Sequence, residues 1–599
     1  MRHLLHVALV ATILGVGTVA RAQEESSEDT TKSVPWISVS GSASLSSDFY
    51  EHSATPFGAQ GGRRPAALHR FLFTPTITIG GFLTLPLNLM ISYPETNTTT
   101  PTLSAPSLQE FFANPANALG LSSFSPKFGW AQIHLGSYTP RMSELSGGDL
   151  QLFGGGFDLR PGSVQLAASA GMTQRAVEPD AATNRAGSYR RDMFMARLGF
   201  GNPDTNAVGI NLVYAKDDTS SIKNTIVTIL PGRPLEDDST VKLPPDTLRL
   251  RAEEGMIASL DTKVRIASGV SFSAEGAVSL FTRDQQADTL KDFTNPLGSL
   301  FTARTSTRID GAGSANRAFR FSSWGVTFTG LYMGAGFQPL AYPFIQSDRI
   351  DLKVSPMLNL FNGDFSFSGS IGQRVNNLSE TKGEKMTQTI ANGQLSVRFS
   401  DVVSLSSSYS NFGIRNNRQN PLDSQRIQNV AESFSIDPMI TFSAASMMHT
   451  ITATVGIDRY DDFNIVSGVE TSNDTKSASL SYTGIFESFP LTIGANTSYL
   501  DNALTVGTLT IRSFGVNASY RLLSGQLLPT ISANFASSTF GSNPADAQTF
   551  LRGGLRWRAT KTITLVGNYG VNTYVYGVAS TRGTDFTEQT LQLSVSTSF

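Results

Sequence analysis

Every second residue of the closing stretch is bulky or apolar, and those between are small and polar. Leu591, Leu593, Val595, Thr597 and Phe599 fall on one face of an extended strand, with Gln592, Ser594, Ser596 and Ser598 on the other. The same alternation returns along the chain at intervals of about 20–25 residues, as in an up-and-down meander. Phe514, Val516, Ala518 and Tyr520 oppose Gly515, Asn517, Ser519 and Arg521, and Ile563, Leu565, Tyr569 and Val571 oppose Thr564, Asn568 and Asn572. A strand apolar on one face and small and polar on the other separates lipid or core from water. Repeated to Phe599, with no run of about 18 uncharged apolar residues after the start, it predicts a sheet that closes on itself.

The N-terminus sets the compartment. Arg2 precedes an apolar run from Leu4 to Val19, and Ala20-Arg21-Ala22 supplies a small-x-small cleavage pattern, so residues 1–22 read as a secretory signal peptide. Residues 23–35 are a polar, periplasmic lead-in, and a single barrel domain is expected over 36–599. The first strand starts near Trp36, which leaves room for neither a plug domain nor periplasmic repeats ahead of the barrel.

The expected architecture is an all-β, antiparallel, transmembrane up-and-down barrel of about 26 strands, with 24 as the alternative. Twenty-five strands can be assigned, including strands near 318–329 and 331–341, with a long connection at 283–316 between the two halves. An up-and-down barrel wants an even number, and the parity breaks between Pro94 and Tyr138. Either a poorly patterned strand hides at about 112–124, or the proline-rich Pro94–Lys127 segment crosses the lumen. The second option makes Phe111, Phe112 and Leu119 the constriction candidates. Short turns alternate with long connections, and a periplasmic C-terminus puts the short turns in the periplasm. Trp130, Tyr138, Tyr214, Tyr332, Tyr460, Tyr499, Tyr520 and Trp557 stand near strand ends, where aromatic girdles are expected.

Alternation also assigns charge to the lumen, because an Arg or Lys facing lipid at mid-depth costs about 2–4 kcal/mol. Arg191, Arg197, Lys263, Arg265, Glu275, Arg398, Arg521, Arg552, Arg556 and Arg558 are the lumen-lining candidates, with Asp261, Asp351 and Lys353. Two readings stay open: a solvated pore with a basic stripe that favours anions, or an interior cross-braced by salt bridges. The Gly154-Gly155-Gly156 run reads as a close backbone approach within a strand.

Composition excludes several functions. There are 46 basic and 48 acidic residues, with no excess of positive charge for nucleic acid. With no cysteine, thiolate metal sites, disulfides and covalent haem attachment are excluded, and no cofactor is expected. The histidines past the signal are His52, His69, His134 and His449. No nucleophile elbow, zinc-protease motif or phosphate loop accompanies them, so no enzymatic activity is expected.

Phe124–Ser137 (FSPKFGWAQIHLGS), Gly154–Gly171 (GGGFDLRPGSVQLAASAG), Ala274–Asp284 (AEGAVSLFTRD) and Ser408–Gly413 (SYSNFG) resemble an uncharacterised family of large gram-negative outer-membrane β-barrel proteins. With weaker similarity between them, the resemblance covers most of residues 36–415. It implies the barrel and the outer membrane, and supplies no reaction, ligand or site. The terminal strand resembles the signal read by barrel-assembly machinery, with Phe599 as its aromatic end. The expected role is a passive, porin-like channel with a polar, partly basic lumen restricted by inward-folded loops. The competing role is a structural sheath around a partner such as a secretion component, a lipoprotein or an electron-transfer protein. The expected surroundings are outer-membrane lipid and lipopolysaccharide, with a lumen-filling or periplasmic protein as a further partner.

Overall fold

A computed structural model describes residues 36–55, 64–95, 123–148, 150–179, 187–223, 226–230, 234–235, 238–242, 246–290, 301–340, 346–381, 383–420, 423–464, 471–577 and 585–599. They form a closed antiparallel barrel of 26 strands. Each strand pairs with its neighbours in sequence, and the ring closes where the first strand, Ile37–Thr55, pairs with the last, Asp585–Ser598, from Ser42↔Ser598 to Thr55↔Asp585. Two small hairpins, Ile226–Leu230 with Asp246–Arg249 and Pro234–Leu235 with Asp238–Lys242, lie outside this sheet. Residues 1–35 and the constriction candidates Phe111, Phe112 and Leu119 lie outside the described residues.

The parity break resolves into a broken strand. Ser123–Phe124 and Lys127–Phe128 both bridge Leu83–Glu95 to Ala131–Tyr138, so together they occupy one strand position. This strand begins at the far edge of the 112–124 window. Pro126 carries no amide hydrogen and interrupts the ladder, yet its carbonyl still accepts from the Ile133 N–H at 2.9 Å. A second difference concerns 283–316. Residues Thr307–Arg320 are a strand, followed by Trp324–Met333, so the expected strands at 318–329 and 331–341 are displaced. The outer face of Thr307–Arg320 carries Gly311, Gly313 and Ala315, which hides the apolar alternation.

Register separates outside from inside. In Arg190–Gly201, Phe194, Leu198 and Phe200 are exposed on the outer face, while Arg191, Met193 and Met195 are buried within. The same contrast runs round the ring through Ile210, Leu260, Leu352, Ile371, Phe514 and Leu555, all exposed on the outer face. In isolation this is a band of uncovered apolar surface; in a bilayer it meets acyl chains. At the tight-turn end the band is edged by Trp36, Phe82, Trp130, Trp324 and Trp557. Tyr332, Tyr499 and Tyr520 are also exposed, whereas Tyr138 turns inward and stacks on His134 at 4.7 Å. Turn geometry is equally local. Ala445 and Ser446 both take positive φ, 51° and 59°, the mirror-image turn whose twist suits a two-residue hairpin.

The seam is knit to its last residue. Phe599 N–H donates to Gly41 O at 3.1 Å, Gly41 N–H donates to Phe599 O at 2.8 Å, and the Phe599 ring lies 6.1 Å from that of Phe73. Gly41 admits no side chain, since a Cβ there would stand 2.4 Å from Thr74 O. Deleting Phe599, or making Gly41→Val, should therefore impair closure far more than export. The measurement is heat-modifiable mobility in the membrane fraction against periplasmic accumulation, and normal amounts of heat-modifiable membrane protein would refute it.

Candidate functional site: the lumen

Inward-facing residues on neighbouring strands line up in layers, counted from the end that carries the long connections. Arg191 stands opposite Asp217, Met193 opposite Ala215, Met195 opposite Val213 and Arg197 opposite Asn211. The next strand continues these rows with Ile257, Ser259 and Asp261, and the one after with Ser279, Ala277 and Glu275.

The first layer is ionic. Arg191 donates to Asp217 at 2.7 and 3.1 Å and to Glu253 at 2.8 Å. Burial raises the Glu253 carboxyl above the usual range, against the opposing pull of Arg191. Below it lies an apolar core inside the barrel, in which Met193, Met195, Val213, Ile257 and Phe281 pack against Leu145, Leu152, Phe337 and Leu340. A polar layer follows, where Arg197 donates to Asp261 at 2.6 and 2.9 Å and to Asn211 at 2.6 Å.

Two inward-folded segments cover this wall, and the sequence reading named neither. The first, 139–151, joins Ala131–Tyr138 to Leu152–Leu159. It is anchored by Leu145 N–H donating to Glu275 Oε2 at 3.1 Å and by Ser143 Oγ bonded to Ser259 Oγ at 3.1 Å. Its backbone lies so close to the core that a Cβ on Gly147 would meet Met195 Cε at 3.3 Å. The second, 334–340, leaves Trp324–Met333 and hangs from Asp310, whose Oδ2 accepts from Gly336 N–H at 2.7 Å. Phe337 and Leu340 then enter the apolar core, with Leu340 against Gly255. A cavity of about 700 Å3 opens beside Ser143 and Glu144, lined by both signs of charge, including Asp261, Lys263, Arg349 and Lys353.

The charges predicted to face inward divide by wall. On the covered wall they are mostly neutralised: Arg197 by Asp261, and Asp351 by Arg374 of the next strand at 2.8 Å, while Glu275 serves as an anchor. Lys263 and Arg265 reach the tight turn instead, donating to Pro203 O at 3.0 Å and Asp204 O at 3.2 Å. Arg398 ends its strand at a turn and pairs with Asp364 at 2.7 Å. Arg521 lies beyond the end of Gly507–Tyr520, so it belongs to a turn and not to a strand face. On the facing wall, Arg552, Arg556 and Arg558 share the inner face of Asp546–Arg558 and are exposed. Among the described residues none of the three has a carboxylate within 4.0 Å.

His134 joins a hydrogen-bonded chain that residue types alone could not place. Its Nδ1 lies 3.1 Å from Ser125 Oγ, and its Nε2 lies 3.2 Å from Asp158 Oδ2. The parts match an acid–base relay, but Tyr138 lies flat on the imidazole and the Ser125 N–H is spent on Pro86 O at 3.1 Å. The chain instead stitches the strand broken at Ser125-Pro126 to its neighbours. The glycine run opposite is a close approach: a Cβ on Gly156 would fall 2.2 Å from the Tyr138 hydroxyl, and one on Gly154 2.1 Å from Ala170 O.

Removing Arg191 should destabilise the covered wall strongly, because it strands the buried Asp217 carboxylate. Loss of one partner of a buried pair costs about 3–5 kcal/mol. Arg191→Ala should lower the midpoint of heat-induced unfolding in detergent, whereas the exposed Arg556→Ala should leave it nearly unchanged. Equal midpoints for both variants would refute the layered reading.

No protein-family model matches the chain, and no curated protein matches it in sequence. Among solved structures it is similar to OccK8 (OprE) of Pseudomonas aeruginosa, at 10% identity and a TM-score of 0.30 over 60% of this chain and 95% of that one. It is similar to OpdK of Pseudomonas aeruginosa with vanillate, at 11% identity and a TM-score of 0.28 over 58% and 93%. It is also similar to BauA, the ferric preacinetobactin receptor of Acinetobacter baumannii, at 10% identity and a TM-score of 0.36 over 93% and 80%. At these scores the overlap is too loose to transfer a register, a lumen or a ligand to this chain.

Proposed function

We propose that the protein is an outer-membrane barrel acting as a passive, porin-like channel, narrowed from within by residues 139–151 and 334–340. The observation that carries this reading is the asymmetry of the lumen. One wall is covered by two short segments of the chain itself. The other presents exposed, small or charged polar side chains inward, among them Asn392, Gln394, Asn496, Asn534 and Arg552. Polar residues on the inner face of a closed barrel hold water, and a water-filled path through a barrel conducts ions and small solutes.

A 26-stranded barrel left unfilled would exceed the bore of the 16–18-stranded aqueous porins. The two segments supply part of the needed restriction from within the chain, which favours a self-narrowed pore over a sheath built around a separate protein. Arg552, Arg556 and Arg558, with no carboxylate within 4.0 Å among the described residues, give the remaining path a positive bias. Outer-membrane lipid and lipopolysaccharide then surround the apolar band, and assembly machinery inserts it.

Residue Tyr138 is the register partner of Leu152, so a hairpin loop of about four residues can close this ladder without the segment between them. Replacing 139–151 by such a Gly/Ser linker should raise single-channel conductance at least about twofold and admit larger antibiotics. Unchanged conductance in a heat-modifiable barrel would show that the segment does not limit the pore.

A further inference from the structure

A second hollow lies on the uncovered wall beside the seam. It measures about 590 Å3 and is lined by Arg64, Arg70 and Arg552, with Asp48 as its one acidic residue. A recess in the wall creates it. Arg552 stands opposite Gly570, Gly570 opposite Thr590, and Thr590 opposite Tyr50, so small side chains separate two large ones in a single row across four strands. A Cβ on Gly570 would press on Thr590 Oγ1 at 3.0 Å and touch the Phe550 ring at 3.5 Å, so the ring lies over the glycine. Phe550, Leu68 and Pro65 give the hollow an apolar side. Asn568 and Gln592, joined by a 3.3 Å hydrogen bond, give it amide groups.

Among the described residues, neither Arg70 nor Arg552 has an ion pair, although Asp48 lines the same hollow. The chain provides Arg191, Arg197 and Arg374, by contrast, each with a carboxylate. Here it leaves guanidinium groups beside an aromatic ring and a recess of ligand size.

We propose that this hollow is a binding site for a small carboxylate with an apolar body, held on its way through the pore. A guanidinium fork matches a carboxylate in two parallel hydrogen bonds, and it does so best where water is partly excluded. The Phe550 ring and Leu68 would take the body of the solute. A bare phosphate would gain the charge and waste the apolar side. The site stays open to the lumen, which suits a conduit, since a solute must bind well enough to enter and weakly enough to leave. The inference rests on the pore reading for the solute's route, but the site can be tested without it.

Calorimetry on the full-length barrel in detergent, with benzoate as the probe, tests the site directly. Benzyl alcohol keeps the body without the charge, and inorganic phosphate keeps charge without the body. Benzoate should bind at least tenfold more tightly than either. The Arg70→Gln/Arg552→Gln double variant should weaken benzoate at least tenfold while remaining heat-modifiable. Should that variant fail to fold, Phe550→Ala must weaken benzoate and leave phosphate unchanged. Phosphate binding as tightly as benzoate, or benzoate binding that survives both variants, overturns the proposal. A barrel that conducts ions but does not bind benzoate sinks the site and leaves the pore standing, whereas binding without conductance does the reverse.

Discussion

Closure of the backbone ladder is the condition on which everything else depends. In hydrocarbon an unpaired peptide group has no water to fall back on, so the sheet can have no free edge. The chain meets this by pairing its first described strand with its last, across more than five hundred residues. The reciprocal bonds between Gly41 and Phe599 are the final rungs of that ladder. Gly41 is glycine because the neighbouring strand passes too near for any side chain, and Phe599 adds its ring to the outer face beside Phe73. Lipid-facing bands, girdles and lumen all follow from a ring that has no ends.

Within the ring, the two walls solve different problems. Strands such as Arg190–Gly201 and its neighbours have inner faces that change character along their length, ionic, then apolar, then polar, and two inward segments complete the apolar and polar layers. Each segment is anchored through a carboxylate and a serine hydroxyl of the wall: Glu275 and Ser259 for one, Asp310 and Ser279 for the other. Strands from Phe365 onward carry mainly polar residues inside, such as Asn392, Gln394, Asn496, Asn534 and Arg552, and leave them to solvent. Charge follows the same division, with carboxylates beside Arg191 and Arg197 of the covered wall and, among the described residues, none within 4.0 Å of Arg552, Arg556 and Arg558.

The sequence was legible where one side of a strand meets lipid. Alternation located nearly every hairpin of the second half, because residues such as Phe514 and Val516 have no other use than to face acyl chains. It failed where the outer face carries no bulk, as in Thr307–Arg320, and where a strand is only two short pieces about Pro126. By register, Arg197, Glu275 and Arg552 lie on the face of their strands opposite the exposed apolar residues. Their partners were not readable, because pairing depends on rows across strands distant in sequence. Segment 139–151 escaped notice because a loop that folds inward has the composition of one that folds outward, whereas 334–340 lies within the strand expected at 331–341, which ends at Met333. A trace of them was present. Met193-Phe194-Met195 and Leu212–Ala215 are apolar on both faces, and a lumen-facing methionine needs something to cover it.

The layered core also divides the barrel mechanically. An empty ring of strands is a thin shell, and its cross-section yields easily to sideways pressure. Filling one arc with close-packed Met195, Ile257, Phe337 and Leu340 turns that arc into a beam two layers thick, which resists bending as a protein interior does. The unfilled arc keeps the compliance of a single sheet. Changes in lateral pressure or bilayer thickness should thus be taken up by the arc from Phe365 to the seam, so that the bore flattens against a rigid back. The recess between Arg552 and Tyr50 lies at the edge of that single-layered arc, across the seam.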